Sequence, residues 1–226
     1  MKNTIRLLVI ISFISHFSSL LSSCTTDAYD KGEGEYSLLR ADFVEAHVGS
    51  DKRVDHVLTD DGDSLRTNPP FRANWITKPD TTCRALFYYK LQQGEAVSYN
   101  LSQVLMPSIK SVDQIKEGVI MDPVHLESIW RARSGRYLNL RLRVMTGEAE
   151  AGKTSHQVFG CASDTLVTYA DGSRALYLRL YHNQNGQPEY YSHEVYLSIP
   201  LAGVQADTVI MRLQTYEGEY SKAFTI

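Results

Sequence analysis

Tyr137-Leu138-Asn139-Leu140-Arg141-Leu142-Arg143-Val144 decides the fold. Leu138, Leu140, Leu142 and Val144 recur at every second residue, so on an extended chain they share one face. Tyr137, Asn139, Arg141 and Arg143 take the other. This is the period of a half-buried strand, and no long stretch of the chain keeps the period of a helix.

The same texture extends in both directions. Downstream, Asp171-Gly172 turns the chain into a strand over residues 175–182. Asn185-Gly186 then predicts a hairpin into residues 189–201. With that pair at the loop centre, Leu180 faces Tyr191 and Leu178 faces His193. Tyr177, Arg179, Tyr181, Tyr190, Ser192, Glu194 and Tyr196 then lie together on the opposite face. A last strand is expected over residues 209–216. Upstream, residues 54–58 and 64–67 flank Asp60-Asp61-Gly62-Asp63, a tight-turn signal. Residues 84–91 and 96–106 follow, separated by Gln92-Gln93-Gly94-Glu95. This gives a first group of four or five strands ending near Pro107, and residues 111–116 have room for one helical turn at most. The expectation is an all-β protein, with one domain over residues 37–110 and a second over residues 111–226.

The N-terminus reads differently. Lys2 and Arg6 precede a serine-diluted apolar run over residues 7–21, and Leu21-Ser22-Ser23-Cys24 closes it. Small residues leading into a cysteine are the pattern of a bacterial lipoprotein signal over residues 1–23, cleaved before Cys24, whose sulfur is then acylated. The run is too short and too serine-rich for a membrane-spanning anchor, which needs about 20 apolar residues. Residues 24–36 are acidic and glycine-spaced, suited to a flexible tether.

Composition narrows the classes. The 226 residues hold 23 Lys and Arg against 26 Asp and Glu, and the leader carries only basic charges, so the mature chain is the more acidic. That balance gives no electrostatic footprint for nucleic acid. Apolar content of 43% and 14 tyrosines are enough for a packed core. With Cys24 lipidated, Cys83 and Cys161 remain. In an oxidising compartment they either form a disulfide or act as two buried small hydrophobes.

Chemical motifs are few. Residues 147–154 match the phosphate-binding pattern GxxxxGK[ST], but Glu148 and Glu150 would place negative charge in the loop. A strand follows where the mechanism needs a helix N-terminus. The pattern is rejected in favour of a polar hairpin loop. His182 and His193 read as core histidines, with His193 among leucines, so no metal or other cofactor is expected. Asp60, Asp61 and Asp63 lack the alternate spacing of a calcium loop and read as turn residues. No GxSxG elbow is present. Two binding candidates survive. The face of Tyr177, Arg179, Tyr181, Tyr190 and Tyr196 either stacks a sugar or partner or covers another layer of the protein. Arg131, Arg133, Arg136, Arg141 and Arg143 either meet an anionic glycan or pair with acidic neighbours on a solvated strand face.

Three segments resemble the NigD-like lipoproteins of Bacteroides and its relatives: the lipobox, Trp130 to Leu142 (WRARSGRYLNLRL), and Leu178 to Leu201 (LRLYHNQNGQPEYYSHEVYLSIPL). Tyr137-Leu138-Asn139-Leu140 and His182-Asn183 are the most diagnostic. The resemblance covers the mature chain. It implies an N-terminal OB-type barrel followed by a C-terminal β-sandwich, and it supplies no catalytic residue. Its name links it to a bacteriocin-associated locus. The expected protein is non-enzymatic and anchored by lipid in the outer membrane, facing the periplasm or the cell surface. It would bind an envelope protein or glycan or assist assembly, and the alternatives are bacteriocin protection or an envelope-polymer hydrolase.

Overall fold

The computed structural model describes residues 34, 37–148 and 156–226. The leader and Cys24, with the tether apart from Gly34, lie outside the described residues, as do Glu150, Gly152, Lys153 and Thr154 of the rejected phosphate pattern. Among the described residues the chain forms thirteen strands, one 3-10 turn and no α-helix.

The first five strands are β1 (Arg40–Val48), β2 (Val54–Thr59), β3 (Ser64–Phe71), β4 (Thr81–Gln92) and β5 (Glu95–Gln103). They close into a barrel in the order β1-β2-β3-β5-β4. Neighbours are antiparallel except β3 and β5, where Thr67 and Ala96 pair in parallel. This is the small Greek-key barrel of OB type. Val44, Ala46 and Val48 on β1 and Ala85, Phe87 and Tyr89 on β4 alternate inward and are buried. Alanines beside the stacked rings of Phe87 and Tyr89 (centroids 4.9 Å apart) fill the narrow interior. The Asp60–Asp63 turn forms as its sequence predicts. The Thr59 amide donates to the Asp63 carbonyl at 2.9 Å, and Gly62 takes a φ of 96°.

The remaining strands are β6 (Ile109–Ser111), β7 (His125–Arg131), β8 (Tyr137–Thr146), β9 (Val158–Thr168), β10 (Arg174–Asn183), β11 (Tyr191–Pro200), β12 (Thr208–Thr215) and β13 (Gly218–Thr225), with the 3-10 turn at Val112–Gln114. A five-stranded sheet, β13-β12-β10-β9-β6, packs on a three-stranded sheet, β11-β8-β7. Leu138, Leu140, Leu142 and Val144 meet Leu178, Leu180, Met211 and Leu213 in the core between them.

Four expectations need correction. Asn185-Gly186 does not centre a hairpin: β10 pairs with β9 and β12, whereas β11 pairs with β8. The turn carries the chain from one sheet to the other, which a local turn signal cannot reveal. β8 and β9 also belong to different sheets, so no hairpin joins them either. A further strand, β13, follows residue 216 and pairs with β12. Finally, Ile109, Lys110 and Ser111 pair in parallel with β9, so the sandwich begins inside the span assigned to the barrel.

Candidate functional site

The polar face of β8 is divided. Arg141 and Arg143 are exposed, but Tyr137 and Asn139 are buried because the barrel sits on them. Strand β4 is the cause. Its Ala85, Phe87 and Tyr89 fill the barrel, while Arg84, Leu86 and Tyr88 point outward to the sandwich. The Arg84 side chain is 1% exposed and lies 2.5 Å from Asp60. Its Nε donates to Ser198 Oγ at 3.0 Å and its Nη2 to Asn139 Oδ1 at 3.3 Å. Asn139 Nδ2 donates to the same Asp60 oxygen at 2.8 Å, and Ser198 donates to Asn139 at 2.6 Å. The guanidinium also lies over the Tyr137 ring, 4.0 Å from its centroid. Tyr137 in turn donates to Glu45 at 2.6 Å, and burial beside that carboxylate pushes its phenol up to about 12. Asp60 is thus more than a turn residue. Beside this network Phe43 meets Trp130 and Tyr196 edge to face, at 5.2 and 5.9 Å. Leu105 completes the junction by exchanging backbone hydrogen bonds with Tyr196 and Ser198 at 2.9 and 2.8 Å.

The expected tyrosine face is not assembled. Tyr177, Arg179 and Tyr181 belong to the five-stranded sheet, whereas Tyr196 belongs to the three-stranded one. Tyr181 is buried against Gly160. Arg179 pairs with Asp164 at 2.6 Å, and Tyr177 lies under Arg212. Tyr196 covers Phe43 of the barrel and donates to Glu194. Tyr190 stands exposed just ahead of β11. Four of the five arginines in the run are paired with acids: Arg133 with Asp61, Arg136 with Glu45, Arg141 with Glu194 and Arg143 with Glu127.

His182 is a buried core histidine. Its Nδ1 lies 3.0 Å from the Asp122 carbonyl and its Nε2 3.1 Å from Gln157, and its ring stacks on Phe159. Burial holds it below its ordinary pKa of 6.5. His193 is exposed rather than set among leucines, because β11 pairs with β8 and not with β10. Cys83 and Cys161 do not pair. Each is a free thiol, one packed against the barrel core and one inside the sandwich core. Burial pushes them up to about 11 and about 12, so neither offers much thiolate at neutral pH.

Two features have no counterpart in the linear reading. His47 on β1 lies opposite His56 on β2, with the rings stacked at 4.4 Å. Both Nδ1 atoms face Asp55 Oδ1, at 3.1 and 2.8 Å. Partial burial opposes it, but the hydrogen bonds from His47 and His56 hold the Asp55 carboxyl below its ordinary range. Val48 and Val54 bracket a five-residue turn, and reading those valines as paired strand ends would have found the trio. The second feature is a cleft of about 460 Å³ between the linker after β5 and strand β9. Met106, Ile115, Val158, Phe159 and Tyr181 line it, with Lys110 and Lys116 among its polar groups. These residues come from separate segments, so no spacing announces them.

Residues 107–226 match the model of the NigD-like C-terminal beta sandwich domain. No curated protein matches the chain. Among solved structures, a NigD-like immunity protein from Bacteroides caccae is similar at 26% identity and a TM-score of 0.66, over 82% of this chain and 96% of its own. A protein of unknown function from Bacteroides vulgatus shares the fold at 14% identity and a TM-score of 0.57, over 83% and 91%. A toxin-related protein from Parabacteroides distasonis does so at 20% and 0.56, over 83% and 93%. The sandwich match takes in more than half of the residues, and the chain belongs to the NigD-like family.

Proposed function

We propose that this chain is a lipid-anchored envelope protein that acts by binding rather than catalysis. The observation that carries the reading is the cleft beside the linker, whose apolar wall and lysines suit a partner segment with an exposed apolar side chain. The tyrosines and arginines of the two candidate faces are largely engaged within the protein itself. Cys24, after its apolar leader, is the proposed lipid attachment, and the outer membrane is the proposed location. Among the described residues no helix is long and apolar enough to cross a membrane.

A photo-crosslinker at Met106, in the full chain in its own cells, should capture one defined envelope protein. The capture should disappear in a Val158→Glu variant, which sets a charge on the cleft wall at a side chain that is about half exposed. Capture unchanged by that substitution, or turnover of an envelope polymer by the purified chain, would reverse the reading. Immunity is the specific form favoured by the Bacteroides caccae relative. Deleting the gene should sensitise cells to a bacteriocin of the same habitat, and undiminished survival argues against it.

A further inference from the structure

We propose that His47, Asp55 and His56 form a binding site for one divalent transition-metal ion, zinc foremost. The three side chains offer two imidazole nitrogens and a carboxylate oxygen, all within 4.8 Å of one another. In a tetrahedral zinc site with bonds near 2.0–2.1 Å, ligand atoms stand roughly 3.3 Å apart. The two histidine–aspartate separations, 3.1 and 2.8 Å, need only a slight opening to reach that spacing. A neutral imidazole carries one proton. Moving it from Nδ1 to Nε2 frees the Nδ1 lone pair, so the ion replaces two hydrogen bonds with three coordinate bonds and no net proton is released.

The donor set chooses the ion. Magnesium and calcium require shells of oxygen, whereas two imidazoles and one carboxylate suit zinc and its neighbours. The framework is already in place. His47 and His56 are a cross-strand pair, and β1 is held on its other side by β4, with His47 opposite Thr82. Strand pairing fixes both backbones before any ion arrives. The side chains are 46%, 50% and 48% exposed, so the open coordination positions face water or a donor from another molecule. The site is separate from the cleft and from the proposed partner, and it stands or falls independently of them.

The competing explanation is a hydrogen-bonded trio that only decorates the hairpin. Calorimetric titration of the full chain with zinc chloride, with magnesium and calcium chloride as controls, separates the two. One zinc ion per chain is expected, with no response to the controls. His47→Ala and His56→Ala should each weaken binding by roughly tenfold or more, and Asp55→Asn should weaken it too. Zinc should raise the thermal midpoint of the parent and leave the double-histidine variant unmoved, while the metal-free midpoints agree. No zinc binding, or equal affinity in the double-histidine variant, overturns the proposal.

Discussion

The two faces of β8 are buried in different ways. Leu138, Leu140, Leu142 and Val144 enter an apolar layer, where each leucine gains about 1.5–3 kcal/mol on leaving water, whichever apolar neighbour it meets. Tyr137 and Asn139, on the other face, are buried against a charge, and what counts there is hydrogen bonding, which partners both side chains but leaves Arg84 Nη1 and Asp60 Oδ1 without a hydrogen bond. The first face sets how strongly the sandwich holds. The second sets where the barrel sits, because the Arg84 fork must meet Asn139 and Ser198, which lie opposite one another on β8 and β11. A buried ion pair adds little over a well-packed apolar contact, yet it is damaging to break.

The sharpest way to break this contrast is Arg84→Ala. It leaves the Asp60 carboxylate at the junction without its cation, and a loss of about 3–5 kcal/mol is expected in urea denaturation followed by tryptophan fluorescence. Pairing Arg84→Met with Asp60→Asn should restore most of it. If the single variant unfolds at the parent's midpoint, the network does not hold the junction.

A smaller effect tests a buried polar group inside the sandwich. Burial keeps His182 below 6.5 in the folded chain, so the unfolded chain takes up the proton first as pH falls. Stability should therefore fall as pH drops below 6.5, by at most about 1.4 kcal/mol per pH unit from this group. In His182→Gln the slope should flatten, which melting curves between pH 7 and 5 would show.

Arg141→Ala should do least. Its pair with Glu194 is on the same polar face of β8 but beyond the barrel, and an exposed pair contributes little. Its thermal midpoint should match the parent's, and a clear drop would mean that the barrel's cover reaches further along the strand.

These residues also show what a linear reading can reach. The apolar face of β8, the Asp60–Asp63 turn and the two-body β plan were legible because alternation and turn chemistry are local. Asn139 and Arg141 look alike in sequence, and only the barrel lying over one of them separates buried from exposed. Asn185-Gly186 is a sound turn signal, yet whether a turn closes a hairpin or changes sheets is decided by pairing elsewhere. The tyrosine face failed for that reason, since its two strands lie in different sheets. His47 and His56 were within reach, as a short turn determines their register.

Asp60 and Arg84 both come from the barrel. Their opposite charges therefore cancel before residue 137 is needed. A chain delivered N-terminus first can finish its leading half with the guanidinium already neutralised. At this network the trailing half contributes two uncharged side chains, Asn139 and Ser198, while its Arg136 pairs with Glu45 at the half-exposed edge. The charge that the junction buries most deeply is thus balanced within one half of the molecule.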